Sequence, residues 1–186
     1  MKIVFYRTLL NRARNITPSE RILYSFLVAK SISRLNDIFE KDGEKLDVEE
    51  LMMQIKDNNN TIDLCEVSHS KISKELSQTR KTIIAGMNHL KELDYIGDDW
   101  VYVNEHLLEH GYFELKHREI LTGELLIFYS YLCDKSQNYD YCIDTYKAKI
   151  GEQIGKTKIA ITKYINRLSC IGLVKRLENG KLKINI

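Results

Sequence analysis

The chain has one proline and nine glycines in 186 residues. So few breakers exclude a long proline-rich or flexible linker. No run of 18 apolar residues occurs, and the first residues lack the apolar centre of a secretion signal. A cytoplasmic protein without membrane contact is therefore expected. The four cysteines, at 65, 133, 142 and 170, form no C-x-x-C pair. Reduced, mostly buried thiols are expected rather than a zinc site or disulfides. There is no phosphate-binding glycine loop, no G-x-S-x-G and no paired-acid constellation. The expectation is a protein that is not an enzyme and takes no cofactor.

One pattern runs against that reading. His106-Leu-Leu-Glu-His110 fits H-x-x-E-H, in which two histidines on one helix face hold zinc and the glutamate acts as base. Such chemistry also needs an acidic ligand from a later helix and a substrate cleft. Neither is apparent, so residues 104–118 are read as a connector helix packed through Leu107 and Leu108, with no metal.

A repeat dominates what is present. Residues 72–96 and 150–174 align without a gap at an offset of 78. Identical pairs are Ile72/Ile150, Thr79/Thr157, Ile83/Ile161, Asn88/Asn166 and Leu90/Leu168. In the second copy Ile150 and Ile154 share a helix face, and Gly155 allows a tight turn. Thr157 can cap the next helix. Ile161, Ile165, Leu168 and Ile171 form an apolar stripe along it. Gly172 ends the helix, and Glu178-Asn179-Gly180 turns between two short strands. The first copy matches with Ile72, Leu76, Thr79, Ile83, Met87, Leu90 and Leu93. Its turn is Gly97-Asp98-Asp99, followed by strand-like Trp100–Val103.

The repeat continues upstream at an offset of 105, where Thr17–Leu27 matches Thr122–Leu132. Thr17 and Glu20 form a capping box with Pro18 at the first helical position, and Thr122 caps the second version. Short strands are expected over 61–67 and 139–145. The N-terminal segment from Lys2 to Tyr6 is β-prone and could add another. Residues 37–60 are an acidic insertion with a helix over 47–55, either a solvated surface element or a partner-binding one. Tyr129, Tyr131, Tyr139 and Tyr141 are expected in the second core and its rim.

The order helix, strand, helix, helix, two-stranded hairpin resembles the winged helix-turn-helix superfamily of DNA-binding domains. The residues carrying the resemblance are Leu76–Arg80 with Leu90–Ile96, and Ile154–Lys158 with Leu168–Val174. It implies a mainly α fold with short β wings (α+β), built as two tandem winged helix-turn-helix domains. These would be residues 1–103 and 119–186, joined by the connector. The opening from Ile16 is similar to bacterial, phage and plasmid transcriptional regulators and replication initiators. Tandem winged helices that serve as protein-interaction scaffolds are the alternative.

Charge separates the two copies. Net charge is only +2, but residues 144–186 carry ten basic and three acidic side chains. Residues 35–70 carry three basic and ten acidic. A basic C-terminal unit is the footprint expected of a surface for double-stranded DNA. On its second helix Lys158, Thr162, Lys163, Asn166 and Arg167 lie off the apolar stripe, with Lys156 and Thr157 in the turn before it. Lys175, Arg176, Lys181 and Lys183 lie on its wing and suit phosphate contact. The first copy offers Arg80, Lys81 and Asn88. There Ile84 and Ala85 replace Thr162 and Lys163, and Asp98 and Asp99 would repel phosphate. DNA contact is therefore assigned mainly to the second copy, with a protein partner or self-association open to the first. Arg7, Arg12 and Arg14 could reach phosphates or pair with the insertion.

Overall fold

The computed structural model describes residues 3–10, 15–41, 48–103, 105–144 and 147–186. The described residues are mainly helical with small antiparallel sheets, an α+β architecture. The first half contains β1 (Val4–Tyr6), a 3-10 turn (Arg7–Leu10), α1 (Pro18–Lys41), α2 (Val48–Asp57), β2 (Thr61–Asp63), α3 (His69–Leu76), α4 (Arg80–Glu92) and β3 (Trp100–Tyr102). A short α5 (Glu105–Glu109) and β4 (Tyr112–Glu114) lead to the second half. That half contains α6 (Gly123–Ser136), β5 (Cys142–Asp144), α7 (Lys147–Ile154), α8 (Lys158–Cys170), β6 (Val174–Arg176) and β7 (Lys181–Ile184).

The repeat in sequence is a repeat in backbone. Helices α3 and α7, and α4 and α8, begin and end 78 residues apart. The strands are displaced by 81: Ile62 faces Val101 across β2 and β3, and Ile143 faces Leu182 across β5 and β7. Relative to the helices, the second half has three residues fewer between β5 and α7 and three more in its hairpin. There β6 pairs fully with β7, whereas its counterpart in the first half is a single bridge between Ile96 and Val101.

Four left-handed positions also repeat. Asn59 and Asn60 correspond to Asp140 and Tyr141; Ser77 corresponds to Gly155 and Asp94 to Gly172. Ser77 and Asp94, with φ of 52° and 56°, hold a conformation that glycine adopts more easily. The reason is the helix end. A left-handed residue there turns the next N–H back onto the last turn. Gln78 N donates to Ser73 O at 3.1 Å and Lys156 N to Gly151 O at 2.8 Å. Tyr95 N donates to Leu90 O and Leu173 N to Leu168 O, each at 2.9 Å.

The apolar stripe is buried as its spacing predicts, with Ile83, Leu90, Ile161, Ile165 and Leu168 at 0% exposure. Ile171 departs from the expectation and is half-exposed, because it lies beyond the last turn of α8 and caps the helix through its N–H. Thr17 and Glu20 form the capping box, through Thr17 N to Glu20 Oε2 at 2.6 Å and Glu20 N to Thr17 Oγ1 at 3.3 Å. Thr122 occupies the cap position of α6, but its hydroxyl makes no capping bond. Helix α2 is more than a solvated insertion: Ile55 and Leu51 join the core while Met53 stays exposed. Asp47 and the rest of 42–47 lie outside the described residues, as do Lys2, Arg12, Arg14 and Thr145.

The connector is not one helix. Helix α5 stops at Glu109, and β4 follows, pairing antiparallel with β1. Phe5 faces Phe113 at the centre, with ring centroids 5.4 Å apart. Arg7 N donates to Gly111 O and Leu115 N to Ile3 O, one bond on each side of the pair. The N-terminal strand thus staples the first half to the approach to the second. Helix α1 packs on α6, where Arg21 pairs with Glu124 at 2.6 Å, and both halves share one continuous core. Arg7 is half-buried and pairs with Asp134 of α6 at 2.7 Å.

Two expectations about smaller groups are corrected. Cys133 is buried and its thiol is pushed up to about 11 by burial, but Cys65 and Cys142 are half-buried and Cys170 is exposed. Tyr129 and Tyr131 are core residues, whereas Tyr139 is 69% exposed. It sits in a 3-10 turn after α6 that ends in two left-handed residues, which carries its ring away from the core.

Candidate nucleic-acid interface

Helix α8 presents its polar face because its apolar face is spent on the core. Thr157 starts the helix, its hydroxyl accepting from Ala160 N at 3.2 Å. Opposite the buried stripe, Lys158, Ile159, Lys163, Asn166 and Arg167 are exposed. Among the described residues no ion pair holds Lys158, Lys163 or Arg167. Thr162 is half-buried and its hydroxyl donates to Lys158 O at 2.9 Å, so its proton is committed to its own helix. Arg176 of the hairpin donates to Asn166 Oδ1 at 2.7 Å, which ties wing to helix and leaves the Asn166 amide group as a donor. Lys175 is exposed on β6.

Of the remaining predicted residues of this half, Lys156, Thr157 and Lys183 are held by the fold. Lys156 is half-buried with Nζ 2.7 Å from Glu124, the carboxylate that also takes Arg21. Thr157 is a cap. Lys183 donates to Asp140 O at 2.6 Å, and exposed Lys181 lies 3.9 Å from Asp144. The structure therefore brings together Lys158, Lys163, Asn166, Arg167, Lys175 and Arg176, on one helix face and its attached wing strand.

The first half has the same scaffold and a different surface. Arg80, Lys81 and Asn88 are exposed on α4, beside Ile84 and Ala85. Its wing is collapsed. The Trp100 indole lies over Gly97 so closely that a Cβ there would be 2.1 Å from Nε1. Exposed Asp98 accepts from Lys91 Nζ at 2.5 Å, and that bond holds its carboxyl below the usual range. A cation that could meet phosphate is thereby neutralised.

The H-x-x-E-H pattern is not assembled as a helical pair. His110 falls after the end of α5, and both histidines are exposed. The side chain of Glu109 lies outside the described residues. Among the described residues no cluster of three or more His, Cys, Asp or Glu is placed to hold a metal.

Sequence reasoning missed a further set. Lys135 and Lys149, with Lys181, line a cleft of about 670 Å³ beside Tyr131 and Tyr139. Lys149 is visible as a base next to the apolar Ile150; Lys181 is brought to the same cleft by the β5 to β7 pairing. No protein-family model, curated protein or solved structure matches the chain.

Proposed function

We propose that the chain is a non-enzymatic binder of double-stranded DNA, built as two tandem winged helices, with the second unit making the stronger contact. Its setting would be transcription regulation or replication initiation. The observation that carries this is the exposed face of α8. It holds Lys158, Lys163 and Arg167 without ion-pair partners among the described residues, and the Arg176 to Asn166 bond joins it to a basic wing. The N-terminal part of such a helix can enter the major groove, while wing cations meet phosphates.

A salt titration of duplex binding tests the reading. Lys158→Ala with Lys163→Ala is expected to weaken binding and to lower the slope of log affinity against log salt by about one for each phosphate no longer neutralised. Arg80→Ala with Lys81→Ala is expected to do less. Absence of duplex binding at low salt would overturn the proposal. A second reading, a scaffold for protein partners, is favoured for the first half by its acidic collapsed wing and by Ile84, 37% exposed on α4.

A further inference from the structure

The cleft in the second half lies between α7 and the β5–β7 edge. Its floor is apolar, formed by Tyr131, Ile143 and Ile150, and its rim carries Lys135, Lys149 and Lys181. Tyr139 stands at the lip with most of its ring in solvent. An exposed aromatic ring among three lysines is not demanded by the architecture. The first half has a comparable groove of about 730 Å³, and it is lined by Asp63, Glu66, Asp98 and Asp99 against Arg34. At the 81-residue offset the first half has Asn58 where the second has Tyr139. The basic cleft also runs on into a second hollow that shares Tyr131 and Lys135 and ends at Arg7 and His110.

We propose that this trough binds single-stranded nucleic acid, with one base stacked on Tyr139 and phosphates on Lys135, Lys149 and Lys181. A cleft of this volume is in the range of small-molecule sites and admits a flat ring or one extended strand. A duplex would offer it only phosphates and gain nothing from Tyr139, whereas an unpaired base supplies a π-face. The backbone would follow the lysines, displacing Asp144 from its 3.9 Å contact with Lys181. This site is separate from the duplex face on α8 and does not depend on it.

The test is fluorescence anisotropy of a labelled oligothymidylate of about ten nucleotides, a length typical of single-strand binding sites, on the full chain. Tyr139→Ala is expected to weaken binding by at least about fivefold and Tyr139→Phe to preserve it, since stacking needs the ring and not the hydroxyl. Lys135→Ala with Lys149→Ala is expected to flatten the salt dependence. Lys158→Ala with Lys163→Ala should leave single-strand affinity intact while altering duplex affinity, so failure of one site is read apart from failure of the other. Unchanged binding by Tyr139→Ala, loss through the α8 pair instead, or displacement by polyglutamate as effective as by unlabelled oligonucleotide would each overturn the assignment.

Discussion

The two halves of this chain share a backbone and differ in almost everything that backbone presents. The lengths of α3 and α7 and of α4 and α8, the left-handed turns and the pairing of β2 with β3 and β5 with β7 recur at offsets of 78 and 81. Yet the first hairpin is a bridge closed by Trp100 and two aspartates, and the second is a full basic ribbon. Interior packing diverges too. Gly86 brings α4 against α1, where a Cβ would lie 3.0 Å from Leu23 Cδ2. The matching pair in the second half is Tyr164 on Phe128, with ring centroids 5.3 Å apart. Backbone geometry in such a repeat is set by a few buried apolar positions and helix ends. Surface chemistry is therefore free to diverge, and function is legible only in what is not shared.

The largest expected effects test the shared part. Ile83→Ala and Ile161→Ala remove equivalent side chains, each fully buried. Each should cost about 2–5 kcal/mol, from reduced burial plus the cavity left behind. If the halves are equivalent in their cores, the two effects in urea unfolding should agree within about 1 kcal/mol. A large asymmetry would show one half carrying the common core. The next effect probes where the backbones part. Ser73 of α3 donates through Oγ to Gln78 O at 2.5 Å. At the matching Gly151 a Cβ would lie 2.4 Å from Lys156 O, so the turn after α7 is tighter. Gly151→Ser is expected to destabilise by about 1–3 kcal/mol through overpacking. Ser73→Gly should lose about 1 kcal/mol, chiefly one hydrogen bond. Tolerance of serine at 151 would mean that the two turns are interchangeable.

Much of this was legible in the sequence, and the exceptions have physical causes. The paired helices were visible because apolar spacing of three and four is dictated by the helix itself, and Thr79 and Thr157 mark their starts. The left-handed turns were visible at Gly155 and Gly172. They were hidden at Ser77 and Asp94, which hold the same conformation without the residue that advertises it. The N-terminal strand was legible as a β-prone segment, but its pairing with β4 was not, because each strand has three residues and the partner lies over a hundred positions away. The candidate DNA face was legible as a set of residues but not as a selection from them. Lys156 resembles its neighbours in sequence, and only the fold sets Glu124, 32 residues earlier, against it. Tyr139 reads as core in sequence, and the turn after α6 carries it outward.

The smallest effect concerns a feature of the first half alone. Glu20 accepts from Thr17 N and pairs with His89 Nδ1 at 2.9 Å. Burial would raise its carboxyl, but the Thr17 bonds and His89 outweigh that and hold it below the ordinary value. At the 105-residue offset the second half has Leu125, which cannot titrate. A depressed folded pKa means that the ionised form favours folding. The contribution is complete above the unfolded glutamate value, near ~4.3, and is lost as pH falls through the lowered folded value. Glu20→Gln keeps an acceptor for Thr17 N and removes only the charge, so it should reduce stability at neutral pH by about 0.3–1 kcal/mol, the scale of a charge at a helix N-terminus. Measured by urea unfolding at successive pH values, the gap between wild type and variant should close as pH falls below the ordinary glutamate range. Parallel profiles through that range would show that the carboxylate contributes nothing by its charge. The first half would then differ from the second by packing and surface alone.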